Sequence, residues 1–495
     1  MTDPDLTTNR SISKVELISR WRRKHPGQPL PEKMIGKPIR TMSGVVPVTL
    51  LTKPYSCPGT CIFCPNDVRM PKSYLSAEPG AQRAAANNFD PYNQVSSRLQ
   101  SYYANGHTTE KVELIILGGT WSAYPLPYKI WFIGRCFEAL NQFKPDKKLG
   151  VPQITGEAVW PRLLKAQKIN ETASTRCVGL SIETRPDFIT LGQLIELRQM
   201  GCTKIQIGIQ SLDNRVLRLN RRGHTVAATK KAIKLLRSFG FKIQAHWMAN
   251  LYGSTPAKDI ADFKKLFGQI WYRPDELKIY PCSLIETAEL MNYCRKKLWR
   301  PYSRAELMRV MVLVLPMVEP YCRVSRMIRD FSSDDIVVGN KTTNFRQLVE
   351  ARAKNIKEIR YREIKNILVK PDDLRLEIIT YTTSIGREKF LQWVTKENQI
   401  AGFLRLCLPR VEAPVKELAG AAIIRELHVY GHALALGGLG RTQHSGLGKQ
   451  LLAAAERLAK GYKKLSVISS IGTKKYYQKH GFKDGQLYQH LQLVD

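Results

Sequence analysis

The chain has 495 residues, too many for one ordinary core, and its 43% hydrophobic content is ample for two or three. With 77 Lys+Arg against 42 Asp+Glu, its net charge of +35 exceeds what solubility requires and attracts polyanions, nucleic acid first and an anionic membrane second. No run approaches the ~18–20 apolar residues of a spanning helix, so no membrane partner is expected. The Met-Thr-Asp-Pro-Asp start lacks a basic-then-apolar leader, so a cytoplasmic protein with ten reduced cysteines is expected.

In chain order, residues 1–45 form a basic arm that includes Arg22, Arg23 and Lys24. Charge alone supports equally a solvated, structureless terminus. Short β-branched runs at 46–51, 112–117, 178–182, 204–209, 242–247 and 277–280 then alternate with helical stretches. That alternation predicts right-handed βαβ units and an α/β fold with a partial parallel (βα)6 barrel over 46–330, whose chemistry sits at the C-terminal strand ends. Residues 331–375 read as a basic, largely helical connector, and 376–495 as a second α/β unit.

After the first predicted strand comes Cys57-Pro-Gly-Thr-Cys61-Ile-Phe-Cys64-Pro, with three thiols inside eight residues. Three thiolates can hold three irons of a cubane cluster and leave the fourth open to a cofactor, whereas a structural zinc, the competing reading, wants a fourth ligand. Gly118-Gly119-Thr120 ends the second strand, where bare backbone can approach a ligand; Glu183-Thr184-Arg185-Pro186-Asp187 follows the third, and the fourth runs through Gln206 to Gln210 and Ser211. Together these residues resemble the radical S-adenosylmethionine (SAM) superfamily. The resemblance implies a 4Fe-4S cluster on Cys57, Cys61 and Cys64, and SAM contacts at Gly118, Gly119, Thr120, Glu183, Arg185 and Gln210. The superfamily often carries an acidic residue where Thr120 stands.

Residues 214–258 contain ten Lys/Arg and no Asp or Glu. Exposed helices ordinarily mix signs, so Arg215, Arg218, Arg221, Arg222, Lys230, Lys231 and Lys234, with the arm and connector, are expected to form a phosphate-binding surface. Late in the chain, a strand at Glu426-Leu427-His428-Val429 precedes Gln443-His444-Ser445-Gly446-Leu447-Gly448-Lys449, which opens a helix over 450–460. A glycine-rich turn into a helix N-terminus suits a pyrophosphate. A strand over 465–469 and Tyr476-Tyr477-Gln478-Lys479-His480-Gly481-Phe482 follow, and the series resembles the GNAT acetyltransferases. That resemblance puts Tyr477 near the CoA sulfur as the catalytic candidate, with Tyr476 as alternative.

A radical SAM barrel joined to a GNAT unit is similar to the family of the Elongator catalytic subunit, from Lys37-Pro38-Ile39-Arg40-Thr41 onward. Asn220-Arg221-Arg222-Gly223-His224-Thr225, Leu277-Lys278-Ile279-Tyr280-Pro281 and Arg425-Glu426-Leu427-His428-Val429-Tyr430-Gly431 carry the likeness through both units. It implies that a SAM-derived radical activates the methyl group of acetyl-CoA for addition to C5 of the wobble uridine in a tRNA anticodon stem-loop, and that hydrolysis leaves a carboxymethyl group. It also implies acetyl-CoA contacts at Lys111, Glu426, Leu427, His428, Val429, Leu447, Gly448, Lys449 and Tyr477. The short Cys57–Cys61 spacing looks bacterial or archaeal, which implies action without other Elongator subunits. A protein lysine acetyltransferase with a structural or vestigial cluster is the competing enzyme class, against which +35 speaks because basic substrates are repelled. A non-catalytic RNA-binding scaffold is a third reading, and methylthio transfer to another tRNA base leaves the GNAT unit without a use.

Overall fold

The computed structural model describes residues 12–28, 30–36, 43–145, 158–329, 331–342, 344–365, 369–430 and 446–493. The 37–41 motif, Gly431 and Gln443-His444-Ser445 lie outside them.

Seven strands form one parallel sheet: β1 (Val45–Leu51), β2 (Lys111–Leu117), β3 (Arg176–Thr184), β4 (Lys204–Gln210), β5 (Lys242–Ala249), β6 (Glu276–Pro281) and, beyond the hairpin strand β7 (Leu284–Ile285), β8 (Arg323–Arg326). They pair in chain order with β1 and β8 as open edges, so the barrel is partial. Along β2, Val112, Leu114 and Ile116 are buried and alternate with Lys111, Glu113 and Ile115, the period-2 pattern of a strand. The buried set packs under the crossover helices Leu126–Gln142 and Val159–Asn170 in the main apolar core. At the open edge, the Gln94 side chain exchanges two 3.0 Å hydrogen bonds with the Leu51 backbone and fixes the end of β1.

The second sheet runs β10 (Arg375–Thr383), β11 (Gly386–Val394), β12 (Ile400–Pro409), β13 (Ala421–Val429), β14 (Lys464–Val467), β16 (Gln489–Gln492) and β15 (Lys483–Asp484), while β9 (Ile336–Val338) pairs with β7. Within it, β13 and β14 are parallel and pair only over Ala421–Ile424, so the Glu426–Val429 half of β13 splays away and leaves a wedge. The helix Leu447–Leu458 follows Gly446, whose φ of +83° suits a residue without a Cβ.

Three expectations need correction. The parallel sheet has a seventh strand, β8, whose four polar-rich residues offer little apolar signal. The structureless alternative for the arm fails over Lys14–Lys24, which is a helix N-capped by Ser13 with Ile18 buried. Over its described residues the connector is not largely helical, because the α-helices there, Phe345–Glu350 and Ile359–Arg362, span six and four residues. Among the described residues, no helix is long and apolar enough to cross a membrane.

The barrel joins the second sheet through buried charge. Arg425 donates to Asp275 at 2.5 and 2.8 Å and to Glu388 at 3.1 Å, and Arg237 reaches Glu388 at 3.3 Å. Arg405 and Lys242 grip Glu426 at 2.8 and 2.5 Å. Despite burial, Arg425 and Arg405 hold the Asp275 carboxyl well below its ordinary range.

Candidate functional site

Two sites lie at opposite ends of the barrel. At the C-terminal end, the loop after β1 carries the three cysteines. Ile62 anchors it: its N–H donates to the Asn220 carbonyl at 3.3 Å, its carbonyl accepts from the Leu290 N–H at 2.8 Å, and its side chain is buried with Val216, Leu251 and Leu284. Arg222 donates from Nη1 to Cys61 Sγ at 3.4 Å and from Nη2 to the Gly208 carbonyl at 2.8 Å. A hydrogen bond from Cys64, then the charge of Arg222, hold the Cys61 thiol down to about 5, while the same bond pushes Cys64 up.

The expected SAM residues converge on this end. Gly118 and Gly119 have φ of +134° and +89°, and a Cβ on Gly118 would collide with the Thr52 hydroxyl. Thr120 Oγ1 lies 3.6 Å from Cys57 Sγ. Glu183 accepts from the Tyr74 hydroxyl at 3.2 Å and lies 3.6 Å from His246 Nδ1. Arg185 forms a two-pronged pair with Asp187 at 3.0 and 2.8 Å and crowds Gly59 of the cysteine loop, while its Nη1 is buried without a partner. Gln210 ends β4 at φ +64°, a conformation uncommon for a side-chain-bearing residue.

These residues fit an iron-sulfur cluster and SAM. Thiols sit among cations, a glycine pair exposes backbone, and an orphaned guanidinium N–H faces the cysteine loop. Among the described residues, no three His, Cys, Asp or Glu side chains converge as a single ion requires. Three thiols that each reach their own iron face a different demand.

At the N-terminal end of the strands, a cavity of about 810 Å³ fills the wedge between barrel and second sheet. All nine residues expected to contact acetyl-CoA line it: Lys111, Glu426, Leu427, His428, Val429, Leu447, Gly448, Lys449 and Tyr477. Tyr476 lines it too, and a Cβ on Gly448 would come 2.7 Å from its hydroxyl. Tyr477 is also a member of the second sheet's apolar core, and burial raises its hydroxyl pKa. Burial brings His428 down to about 4, so its ring is neutral at pH 7, and its Nε2 has no partner. Glu426 is the exception in this set: its carboxylate, held low despite burial by Lys242 and Arg405, is committed to the domain junction. The cavity volume and the free backbone N–H groups of the Leu447–Leu458 N-terminus suit a nucleotide thioester.

The expected RNA-binding residues divide. Arg215, Arg218, Lys231, Lys234, Arg23 and Lys24 are exposed, and Arg221 is exposed beside Glu289 at 2.9 Å. Lys230 lies over the Trp271 ring at 5.6 Å, and Arg22 stacks on Tyr103 at 3.5 Å. Arg222 is corrected: it is 7% exposed and serves the cysteine site, because the turn after Asn214–Leu219 folds it inward beneath Gly208. Sequence reasoning also missed Tyr55, 42% exposed two residues before Cys57 and stacked on Tyr124, and it missed Tyr74 and His246. The only signal for His246 was its place in the alternating polar set Lys242, Gln244, His246 along β5.

The Radical SAM superfamily signature matches residues 53–263, and the Radical_SAM C-terminal domain matches 274–355. A tRNA uridine(34) acetyltransferase of Dehalococcoides mccartyi is 38% identical over 457 residues, which cover 90% of this chain and 96% of that protein. Elongator complex protein 3 of Homo sapiens is 33% identical over 477 residues, covering 91% and 84%. The solved structure of archaeal Methanocaldococcus infernus Elp3 with an N-terminal deletion superposes with a TM-score of 0.78 at 34% identity, covering 92% of this chain and all of that one.

Proposed function

This chain belongs to the radical SAM family that holds the tRNA uridine(34) acetyltransferases and Elongator complex protein 3, and from that premise we propose that it modifies the wobble uridine of tRNA with acetyl-CoA as carbon donor. The observation that carries the reading is the pairing of a cysteine site and a thioester-sized cavity on one barrel. Cys57, Cys61 and Cys64 would hold a 4Fe-4S cluster, which with SAM would supply one-electron chemistry able to take hydrogen from an unactivated carbon.

The chain's own residues bind, orient and exclude water. Gly118 and Gly119 present backbone to SAM, Thr120, Glu183 and Gln210 supply polar contacts, and Arg185 and Arg222 offset the negative charge of the thiolates. Lys111, His428 and the N-terminus of Leu447–Leu458 hold acetyl-CoA, with Tyr477 or Tyr476 beside the sulfur. Arg215, Arg218, Lys231 and Lys234 meet tRNA phosphates, and Tyr55 offers a stacking face to an anticodon base as it leaves its neighbours.

The test is the triple variant Cys57→Ala, Cys61→Ala, Cys64→Ala. With SAM, reductant, acetyl-CoA and tRNA it is expected to form no modified uridine. Undiminished product would leave an acetyltransferase with a dispensable cluster.

A further inference from the structure

Barrel interiors are ordinarily filled by bulky branched apolar side chains in layers. Here the layers on β3 to β6 are polar. At the floor, Lys204 bridges Glu113 at 2.6 Å and Glu276 at 3.5 Å, two strands away on either side, and Lys242 pairs with Glu276 at 2.6 Å. Two residues up each strand, Lys278 donates to Gln206 at 2.6 Å, Gln206 to Ser181 at 3.0 Å, and Gln244 to Ser325 at 2.9 Å. Above that, Glu183 and His246 meet at 3.6 Å, and Gly208 is held by Arg222, the same residue that touches Cys61.

This column touches both sites. Its floor residues Glu113, Lys204, Lys242 and Glu276 line the cavity that holds the expected acetyl-CoA residues, and its top layer bonds to the cysteine loop. From Lys204 to Gly208 is four residues, a climb of about 13 Å at 3.3 Å each. Two buried atoms along it, Gln244 Oε1 and His246 Nε2, have no hydrogen-bond partner. An unmet buried polar atom loses its hydration without replacement, so two on one strand of a lumen point to something they bind.

We propose that the polar lumen is a subsite for the acyl end of a thioester, which enters from the cavity through the Lys204–Glu276 floor and lies along Gln206, Gln244 and Lys278 toward the cysteine site. The inference rests on the acetyl-CoA reading above. The floor ion pairs close the way in this structure, and Lys204 and Lys242 are long, flexible side chains able to exchange their carboxylates for a thioester carbonyl.

Full-length protein prepared without iron, so that no turnover occurs, is photolysed with an acyl-CoA analogue bearing a diazirine at the acyl terminus, and the adducts are mapped by peptide mass spectrometry. Adducts are expected on the β5 and β6 peptides carrying Gln244 and Lys278 as well as on cavity peptides around Leu447 and Tyr476. In Ser181→Leu, which fills the lumen, the ratio of lumen to cavity adducts is expected to fall at least tenfold, the cavity adducts reporting that the protein is folded. Cavity adducts without lumen adducts, or a ratio unchanged by Ser181→Leu, would overturn the route and leave the lumen to water. Adducts at neither place would remove the acetyl-CoA reading, and the route with it.

Discussion

Arg222 shows how much one side chain can decide. Its guanidinium spans Cys61 Sγ and the Gly208 carbonyl from a buried position, so it sets both the charge beside a thiolate and the height of β4 under it. Arg222→Met keeps most of the volume and removes both donors. A charge-assisted hydrogen bond contributes about 1.5–3 kcal/mol, so the variant is expected to lose that much in denaturant unfolding. A cation beside a cluster ligand favours the reduced form, so the reconstituted cluster's potential is expected to move negative. An unchanged potential would reduce Arg222 to a structural strut.

Between elements, the decisive contacts are the ion pairs from the N-terminal ends of the barrel strands to β11, β12 and β13. Asp275, just before β6, faces Arg425 and Arg405 with all three side chains almost fully buried. Asp275→Asn leaves two buried cations short of a counter-charge, and removing one partner of a buried pair costs about 3–5 kcal/mol. The pH dependence has a definite sign. The folded value of Asp275 lies below its ordinary 3.8, so its contribution is full above about pH 4 and is lost as pH falls through the depressed value. Acid unfolding of Asp275→Asn followed by circular dichroism is therefore expected to lose part of the steep limb below pH 4. An identical acid limb would place the pH dependence elsewhere.

At this scale the sequence was largely readable. The six parallel strands were legible because β-branched runs alternate with helical spacing, and the cysteine loop because its spacing is specific. What escaped was set by tertiary placement: β8 is short and polar, Arg222 turns inward only because of the bend after Leu219, and the polar lumen emerges only when residues two apart on four strands are stacked. The wedge at β13 depends on a pairing that stops at Ile424, which no local pattern announces.

Across the whole molecule, the net charge of +35 survives the internal pairing of many arginines, and Arg215, Arg218, Lys231 and Lys234 remain exposed. Each phosphate neutralised by such a residue steepens the log-log dependence of affinity on salt by close to one. Replacing Arg215, Arg218, Lys231 and Lys234 with Gln is expected to flatten the slope for tRNA by about two to four, read by filter binding from 50 to 300 mM salt. A slope unchanged by all four substitutions would move the RNA to another face.

The proposed reaction joins a thioester's carbon to a tRNA base by way of the cysteine site. Its most direct measurement is anaerobic incubation of the reconstituted protein with SAM, reductant, tRNA and acetyl-CoA labelled with 13C at both acetyl carbons, followed by nucleoside mass spectrometry. Both labelled carbons are expected on uridine from the anticodon, with 5′-deoxyadenosine released alongside. Labelled acetyl on protein lysines, with the uridine unlabelled, would contradict it.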